Sequence, residues 1–450
     1  MLHVDNNEVK EKLFCGNIGL EKESLRITPD GYIAQTPHPF PGDPYIVRDY
    51  SESQTEINTP VAPDAETALG YVQYHTDRIL EKLSEQPQKE LLWPFSNPPY
   101  IRDSDDIPIA VYFGDEAWKM EYRRYLAGRY GKYMMTFCGI HFNYSFDEAL
   151  LKSDYEAAGG EKTGKNFNEY KSDFYVSLSA KALLYNWLIV AVTAASPLLD
   201  SSYVEKGVIG QDVFNGMGTT RCSELGYWNF FTPVLDYSGI EAYADSILAY
   251  IDAGLIKSPA ELYFPVRVKP SGGYELAALK DKGVSHIEMR MIDLNPLTPA
   301  GMDLRDVKFI QLLLIYLAML PDVPMPASDQ IQAVQNTKMA AHYDLKMVMV
   351  MLPDGESMDA ASGALRILGQ MRDLFRKILS GEPNDGAAPE SGTNSEHPGK
   401  AYTLDEVEEI LSFQEAKFTD AENRYAWQLR KLYANGFVEK GLELARERAK

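Results

Sequence analysis

Gly19-Leu-Glu-Lys-Glu-Ser-Leu-Arg26 carries the pattern that decides the fold. Side chains on an extended strand point alternately to opposite faces, so Glu21 and Glu23 share one face. Three further stretches repeat the arrangement. In Gln54-Thr-Glu-Ile-Asn58, Gln54, Glu56 and Asn58 align. In Gly139-Ile-His-Phe-Asn-Tyr-Ser145, His141, Asn143 and Ser145 align against Ile140, Phe142 and Tyr144. In His286-Ile-Glu-Met-Arg-Met-Ile292, Glu288 and Arg290 stand against Ile287 and Met289. One such row alone reads as a solvated sheet face, which is usually a mixture of Lys, Thr and Glu. Together these rows offer hard oxygen ligands, one His and one Arg. Glu21, Glu23, Glu56 and Glu288 would repel one another unless cations sat between them. The pattern therefore predicts a sheet with Mg2+-nucleotide chemistry on one face: carboxylates hold metal, metal bridges phosphate oxygens, and arginine stabilises the transferring phosphoryl group.

Outward from these strands, Pro29-Asp30-Gly31 predicts a turn between strands at 20–28 and 32–35. A helix is predicted from Asp64, its N-cap, to Leu83, with Leu69, Val72, Ile79 and Leu80 at helical spacing. Residues 115–128 predict a helix, 133–146 a strand and 152–165 a glycine-containing loop. A long helix over 172–195 is stopped by Ser196-Pro197. Helices near 239–253 and 303–320 and strands around 263–269 and 284–292 follow. The expected organisation is a catalytic unit over 1–381, with helical insertions at about 64–90 and 172–196. A mobile loop over 382–400 and a helical segment over 401–450, docked on the body, complete it.

Charge narrows the function. Lys and Arg number 44 against 65 Asp and Glu, a net charge of −21, and no basic run occurs. Nucleic acid and anionic membrane surfaces are disfavoured as partners. The most apolar stretch, Ala182 to Ser196, is shorter than the roughly 20 residues of a membrane span and reads as a core helix. The polar start has no apolar leader segment, and Cys15, Cys138 and Cys222 form no disulfide framework. A cytoplasmic protein is expected. No Walker loop or Rossmann glycine fingerprint occurs, so a nucleotide would bind on the sheet. Cys138 and His141 lie three apart on one strand and face opposite ways, which argues against a thiol dyad; nothing supplies Cys222, beside Arg221, with a base.

At these residues the chain resembles the glutamate–cysteine ligase family, in its proteobacterial branch and in the ligase half of bifunctional glutathione synthases. The resemblance runs in order through Gly19 to Arg26, Asp49-Tyr-Ser-Glu-Ser-Gln-Thr-Glu-Ile-Asn-Thr-Pro60, Trp93-Pro94, Tyr122-Arg123 and Arg129-Tyr-Gly131. It continues through Gly139 to Asn143, Ala195-Ser-Pro197, Arg221-Cys-Ser-Glu-Leu-Gly-Tyr227, Glu261-Leu-Tyr263 and Ile287 to Pro296.

The resemblance implies an α+β, glutamine-synthetase-like fold, a mostly antiparallel sheet forming a funnel floor with helices packed outside. It implies ATP-dependent joining of glutamate and cysteine through a γ-glutamyl phosphate, the first step of glutathione synthesis. Glu21, Asp49, Glu56, His141 and Glu288 match positions for Mg2+, for which Mn2+ can substitute, with Glu23 close by. Arg290 matches the phosphoryl-stabilising arginine and Arg221 one that contacts a substrate carboxylate or phosphate; with Glu288 they form the expected catalytic set. Tyr122, Tyr227 and Tyr263 match aromatic positions around the incoming amino acid, and Asn143 and Met135 join the substrate-binding residues.

Met135 is a departure, because the related chains carry Gln there, and loss of an amide should alter a polar substrate contact. A ligase for another amine is therefore one rival, and a catalytically inactive nucleotide- or glutamate-binding regulator is a second. A phosphodiesterase acting on nucleic acid is disfavoured by charge. The expected partners are small-molecule substrates, the expected state is a monomer or small homo-oligomer, and the expected product stops at the γ-glutamyl dipeptide.

Overall fold

In the computed structural model the described residues are 1–380 and 402–450; the loop expected over 382–400 lies outside them. Strands β1 (Gly16–Ile27), β2 (Ile46–Arg48), β3 (Gln54–Asn58), β4 (Leu91–Leu92), β5 (Gly139–Phe146), β6 (Val266–Lys269) and β7 (His286–Asp293) form one sheet. Its order is β2-β3-β1-β5-β7-β6, with β4 pairing the end of β1, and all these pairings are antiparallel. The register sets Glu23 opposite Glu56, Glu21 opposite His141, and Glu288 between Asn143 and Arg267. Because directly opposed residues of an antiparallel pair share a face, the polar rows merge into one surface.

The other face is apolar and closed. Ile18, Leu20, Ile140, Phe142, Tyr144, Ile287 and Met289 are all buried there. Helices α1 (Ala65–Glu85), α2 (Trp118–Tyr130), α3 (Phe167–Thr193), α4 (Ile240–Asp252), α5 (Leu304–Met319), α6 (Ala327–Ala340) and α7 (Ala360–Leu379) surround the sheet. Asp64 caps α1, its carboxylate accepting the Thr67 N–H at 2.7 Å. α3 begins earlier than expected because Asn166 and Glu169 form a reciprocal capping box. It is long and apolar enough to cross a membrane, yet 89% of its most apolar window is buried inside the protein, as befits a core helix packed on β6 and β7.

Further sequence expectations are corrected, the first being the strand over 32–35, where Tyr32 and Ile33 make only isolated bridges. The strand expected from Tyr133 begins at Gly139, and Tyr133–Thr136 forms a tight 3-10 turn. Gly139 pairs with Asp293, the last residue of β7, so no strand partner exists further back. The loop expected over 152–165 is helical at first, over Glu148–Ala157, because Asp147 caps the turn and Leu150, Leu151 and Tyr155 bury one face.

The C-terminal helices α8 (Leu404–Thr419), α9 (Tyr425–Tyr433) and α10 (Phe437–Arg448) pack on the body. Arg372 on α7 bridges Glu408 and Glu415 of α8, and Lys417 pairs with Asp306 of α5 at 2.7 Å in a fully buried contact.

Candidate active site

A cavity of about 800 Å3 opens over the polar face of the sheet. Two groups of acids lie on its floor. In the first, the Glu21 carboxylate accepts from His141 Nδ1 at 2.8 Å through Oε2 and from the Asn143 amide at 3.0 Å through Oε1. Ligand atoms of Glu21, His141 and Glu288 all lie within 4.8 Å of one another. Burial opposes ionisation of Glu288, but Arg290, Lys269 and Arg267 outweigh it and hold the carboxyl well below its usual range. Their nitrogens stand 2.9, 3.6 and 3.9 Å from its oxygens. Glu21 is also shifted down: burial opposes, and the His141 hydrogen bond prevails. Burial and Arg290 push His141 down, favouring the neutral ring that a metal requires.

The second group is Glu23, Asp49 and Glu56 on β1, the β2–β3 connection and β3. Burial, reinforced by Asp49, pushes Glu23 up to about 8, although Gly139 N–H donates to it at 3.0 Å. Burial, Asp49, Glu21 and Glu23 together push Glu56 well above its usual range. Asp49 reaches the floor because the chain turns back after β2, where Asp49 N–H donates to Gln54 O at 3.1 Å. This return explains how a residue off the alternating strand pattern lies beside Glu56.

Arg221 enters from a loop. Its guanidinium donates to Arg290 O at 2.9 Å and Ile292 O at 3.3 Å, along the edge of β7. A Cβ at Gly139 would stand 2.3 Å from the Arg221 guanidinium carbon, so only glycine admits this approach.

The far wall is aromatic. Tyr122 and Leu126 come from α2, Tyr227 and Tyr263 lie with ring centroids 4.0 Å apart, and Tyr50 and Met135 pack with them. Met135 is 4% exposed and lines the cavity. The remaining sequence-expected residues thus converge, except that Asn143 is held by Glu21 and forms no part of the cavity lining.

Sequence reading missed several cations. Arg267 and Lys269 alternate on β6 in Val266-Arg-Val-Lys269, a period-two signal like the others. Arg48 and Arg123 carried no such signal; they flank the Tyr112 ring at 4.5 and 4.8 Å, and Arg123 Nε donates to Asp49 O at 2.6 Å.

Against this geometry, the sequence model described as glutamate-cysteine ligase matches residues 1–232 and 229–340. The chain belongs to the glutamate–cysteine ligase family. The glutathione biosynthesis bifunctional protein of Listeria innocua is 34% identical over 394 residues, spanning 85% of this chain and 50% of its own length. That of Clostridium perfringens is 32% identical over 394 residues, spanning 84% and 50%. The chain thus spans about half the length of the curated relatives it matches. Two solved structures share the fold. The Francisella tularensis glutamate–cysteine ligase in complex with AMP superposes with a TM-score of 0.80 at 20% identity, over 97% of this chain and 88% of that one. The Pasteurella multocida bifunctional glutathione synthetase gives 0.78 at 23% identity, over 98% and 53%. The glutamine-synthetase-like α+β architecture of the ligase family is therefore the architecture of this chain.

Proposed function

We propose that this chain catalyses ATP-dependent formation of γ-glutamylcysteine from L-glutamate and L-cysteine, the first step of glutathione biosynthesis. The observation that carries the reading is one cavity with two chemically different ends, an acid and arginine floor continuous with a buried tyrosine–methionine wall. The floor suits transfer of a phosphoryl group to the γ-carboxylate of glutamate, releasing ADP. The wall suits an incoming small amino acid whose amine attacks the γ-glutamyl phosphate, forming the amide and releasing phosphate and a proton.

The donor set fits Mg2+ or Mn2+. Glu21, His141 and Glu288 present oxygen and nitrogen atoms within one ion's reach, Glu21 and Glu288 are held ionised, and Glu288 Oε2 has no hydrogen-bond partner among the described residues. In this proposal Glu23, Asp49 and Glu56 would hold further metal, which when bound would supply positive charge to screen the phosphates and the transferring group. Arg290, half-buried and paired with Glu288, and Arg221, fixed by two backbone carbonyls, provide positive charge where the phosphoryl group moves. Tyr122, Tyr227, Tyr263 and Met135 shape the amine end. The three cysteines are free, which accords with the cytoplasmic location included in the proposal.

A second reading rests on Met135, whose thioether stands where a polar contact would select the amine. It keeps the mechanism and changes the second substrate. ADP release from Mg-ATP and glutamate, with cysteine, 2-aminobutyrate and a panel of other amines, decides between them. Cysteine and 2-aminobutyrate well above the panel is the expected result. A different best amine would favour the second reading, and ATP binding without amine-dependent ADP release would point to a binding protein instead.

A further inference from the structure

Behind the tyrosine wall lies a buried acid that takes no part in the floor. Glu261 is fully buried, sits in the short 3-10 turn Pro259–Glu261, and does not line the cavity. Its Oε1 accepts the Tyr130 hydroxyl at 2.8 Å and the Tyr125 hydroxyl at 3.2 Å, and pairs with Arg129 Nε at 3.0 Å. Its Oε2 accepts the Lys257 N–H at 2.6 Å. All three side-chain donors belong to the last two turns of α2, the helix that presents Tyr122 and Leu126 to the cavity.

A second path leaves the same point. The Tyr130 hydroxyl also accepts from Asn229 Nδ2 at 3.1 Å, while Asn229 donates to Glu261 O at 2.8 Å and its Oδ1 accepts the Tyr263 N–H at 2.9 Å. The Tyr130 ring meets Tyr263 edge-on with centroids 5.2 Å apart, and Tyr263 lies against Tyr227. Helix α2 is therefore held by the Glu261 carboxylate, and the segments carrying Tyr227 and Tyr263 connect to the same point through Asn229, which bonds the Tyr130 hydroxyl, the Glu261 backbone carbonyl and the Tyr263 N–H. Burying an acid is unfavourable unless its oxygens are fully engaged, and here they gather three side-chain donors from α2 together with the Lys257 N–H.

We infer that Glu261 is a positioning residue for the second-substrate pocket, setting the separation of Tyr122 from Tyr227 and Tyr263 through Arg129, Tyr130 and Asn229. This rests on the ligase reading proposed above. It goes further in placing amine selectivity partly in residues that never touch the substrate. The Glu261 carboxylate bonds none of the metal and phosphoryl groups; wall and floor are linked instead by Arg123, which donates to Asp49 O, and by Arg267, which donates to Ala260 O and Leu262 O, so loss of the Glu261 network should act chiefly on one substrate.

The test is steady-state kinetics of Glu261→Gln and of Tyr130→Phe, which keeps the ring and removes the shared hydroxyl. Each variant should raise KM for cysteine and 2-aminobutyrate about fivefold or more, with KM for ATP and glutamate and kcat at saturating amine within about twofold. The preference for cysteine over a longer amine such as norvaline should also fall. Unchanged amine KM in both folded variants, or equal losses towards all three substrates, would overturn the inference while leaving the ligase reading intact. Absence of amine-dependent ADP release in the unsubstituted protein would overturn both.

Discussion

Glu23 and Glu56 stand directly opposite each other on neighbouring antiparallel strands, and both point into the same cavity. Two buried carboxylates so placed cannot both ionise cheaply, and Asp49 adds to the repulsion of each. Without a bound cation, Glu23 keeps its proton up to about pH 8. Its folded value lies above the ordinary one, so the contribution to stability is full below about pH 4.5 and is lost as pH rises through about 8. Metal ligation needs the ionised form, so Mg2+ binding should release protons and tighten as pH rises. Calorimetry at pH 6 and 8.5 in buffers of different ionisation enthalpy would measure both effects. We expect a larger Mg2+-induced rise in Tm at the higher pH; equal rises would place Mg2+ away from this pair.

Glu56→Gln should leave a folded protein, because it removes repulsion from a buried acidic group. Its Tm without Mg2+ should equal or exceed that of the parent. Turnover should fall by about 10²–10³-fold, the scale for losing one preorganised electrostatic group. A folded variant with near-normal ADP release would remove Glu56 from the catalytic floor.

Gly139→Ala separates position from chemistry. The added methyl would meet the Arg221 guanidinium carbon at 2.3 Å, so the guanidinium must leave the carbonyls of Arg290 and Ile292. No catalytic atom is deleted. We expect a loss of at least about tenfold in kcat/KM, reflecting displacement of a positioned charge. Activity equal to the parent would show that the placement of Arg221 is not required.

Met135→Gln introduces an amide into a pocket lined by Tyr50, Leu126 and Tyr263. The Tyr50 hydroxyl there is buried without a hydrogen-bond partner among the described residues, and can accept from or donate to a new amide. The change should alter KM for the amine several-fold, by about 1 kcal/mol, and leave KM for ATP unchanged. A shift confined to ATP would move Met135 out of the amine pocket.

His38 supplies a stability prediction at the cavity margin. Burial, aided by Arg26 and Arg48 and opposed by its bond to Ile46 O, pushes it down to about 4. Between pH 6.5 and 4 the unfolded chain takes up a proton that the folded chain resists, so stability falls as pH falls through that window. The loss is at most about 3 kcal/mol. His38→Gln should flatten this part of the pH–stability curve measured by urea unfolding; an unchanged slope would assign the loss to other groups.

The acids of β1, β3 and β7, with His141 of β5 and Arg290 of β7, were legible in the sequence because a strand encodes its faces locally, through strict alternation. The same holds for α1 and its Asp64 cap, where one side chain and one turn carry the information. Strand and helix limits were less legible wherever a partner decided them: β5 starts where Asp293 offers its last pairing, and α3 starts at a capping box several residues before its apolar run.

By itself, then, the sequence determined which side chains share a sheet face, which chemistry those faces suit, and the family the chain belongs to. Only the tertiary structure decided how Asp49, off the alternating pattern, reaches Glu23 and Glu56, that Arg221 lies along β7, that Arg123 and Arg48 flank Tyr112, and that Glu261 and Asn229 join the segments bearing the tyrosines. The reason is range. Alternation is written within a few residues, whereas these groups come from turns, loops and helix ends far apart in the chain, and their meeting depends on how whole elements pack.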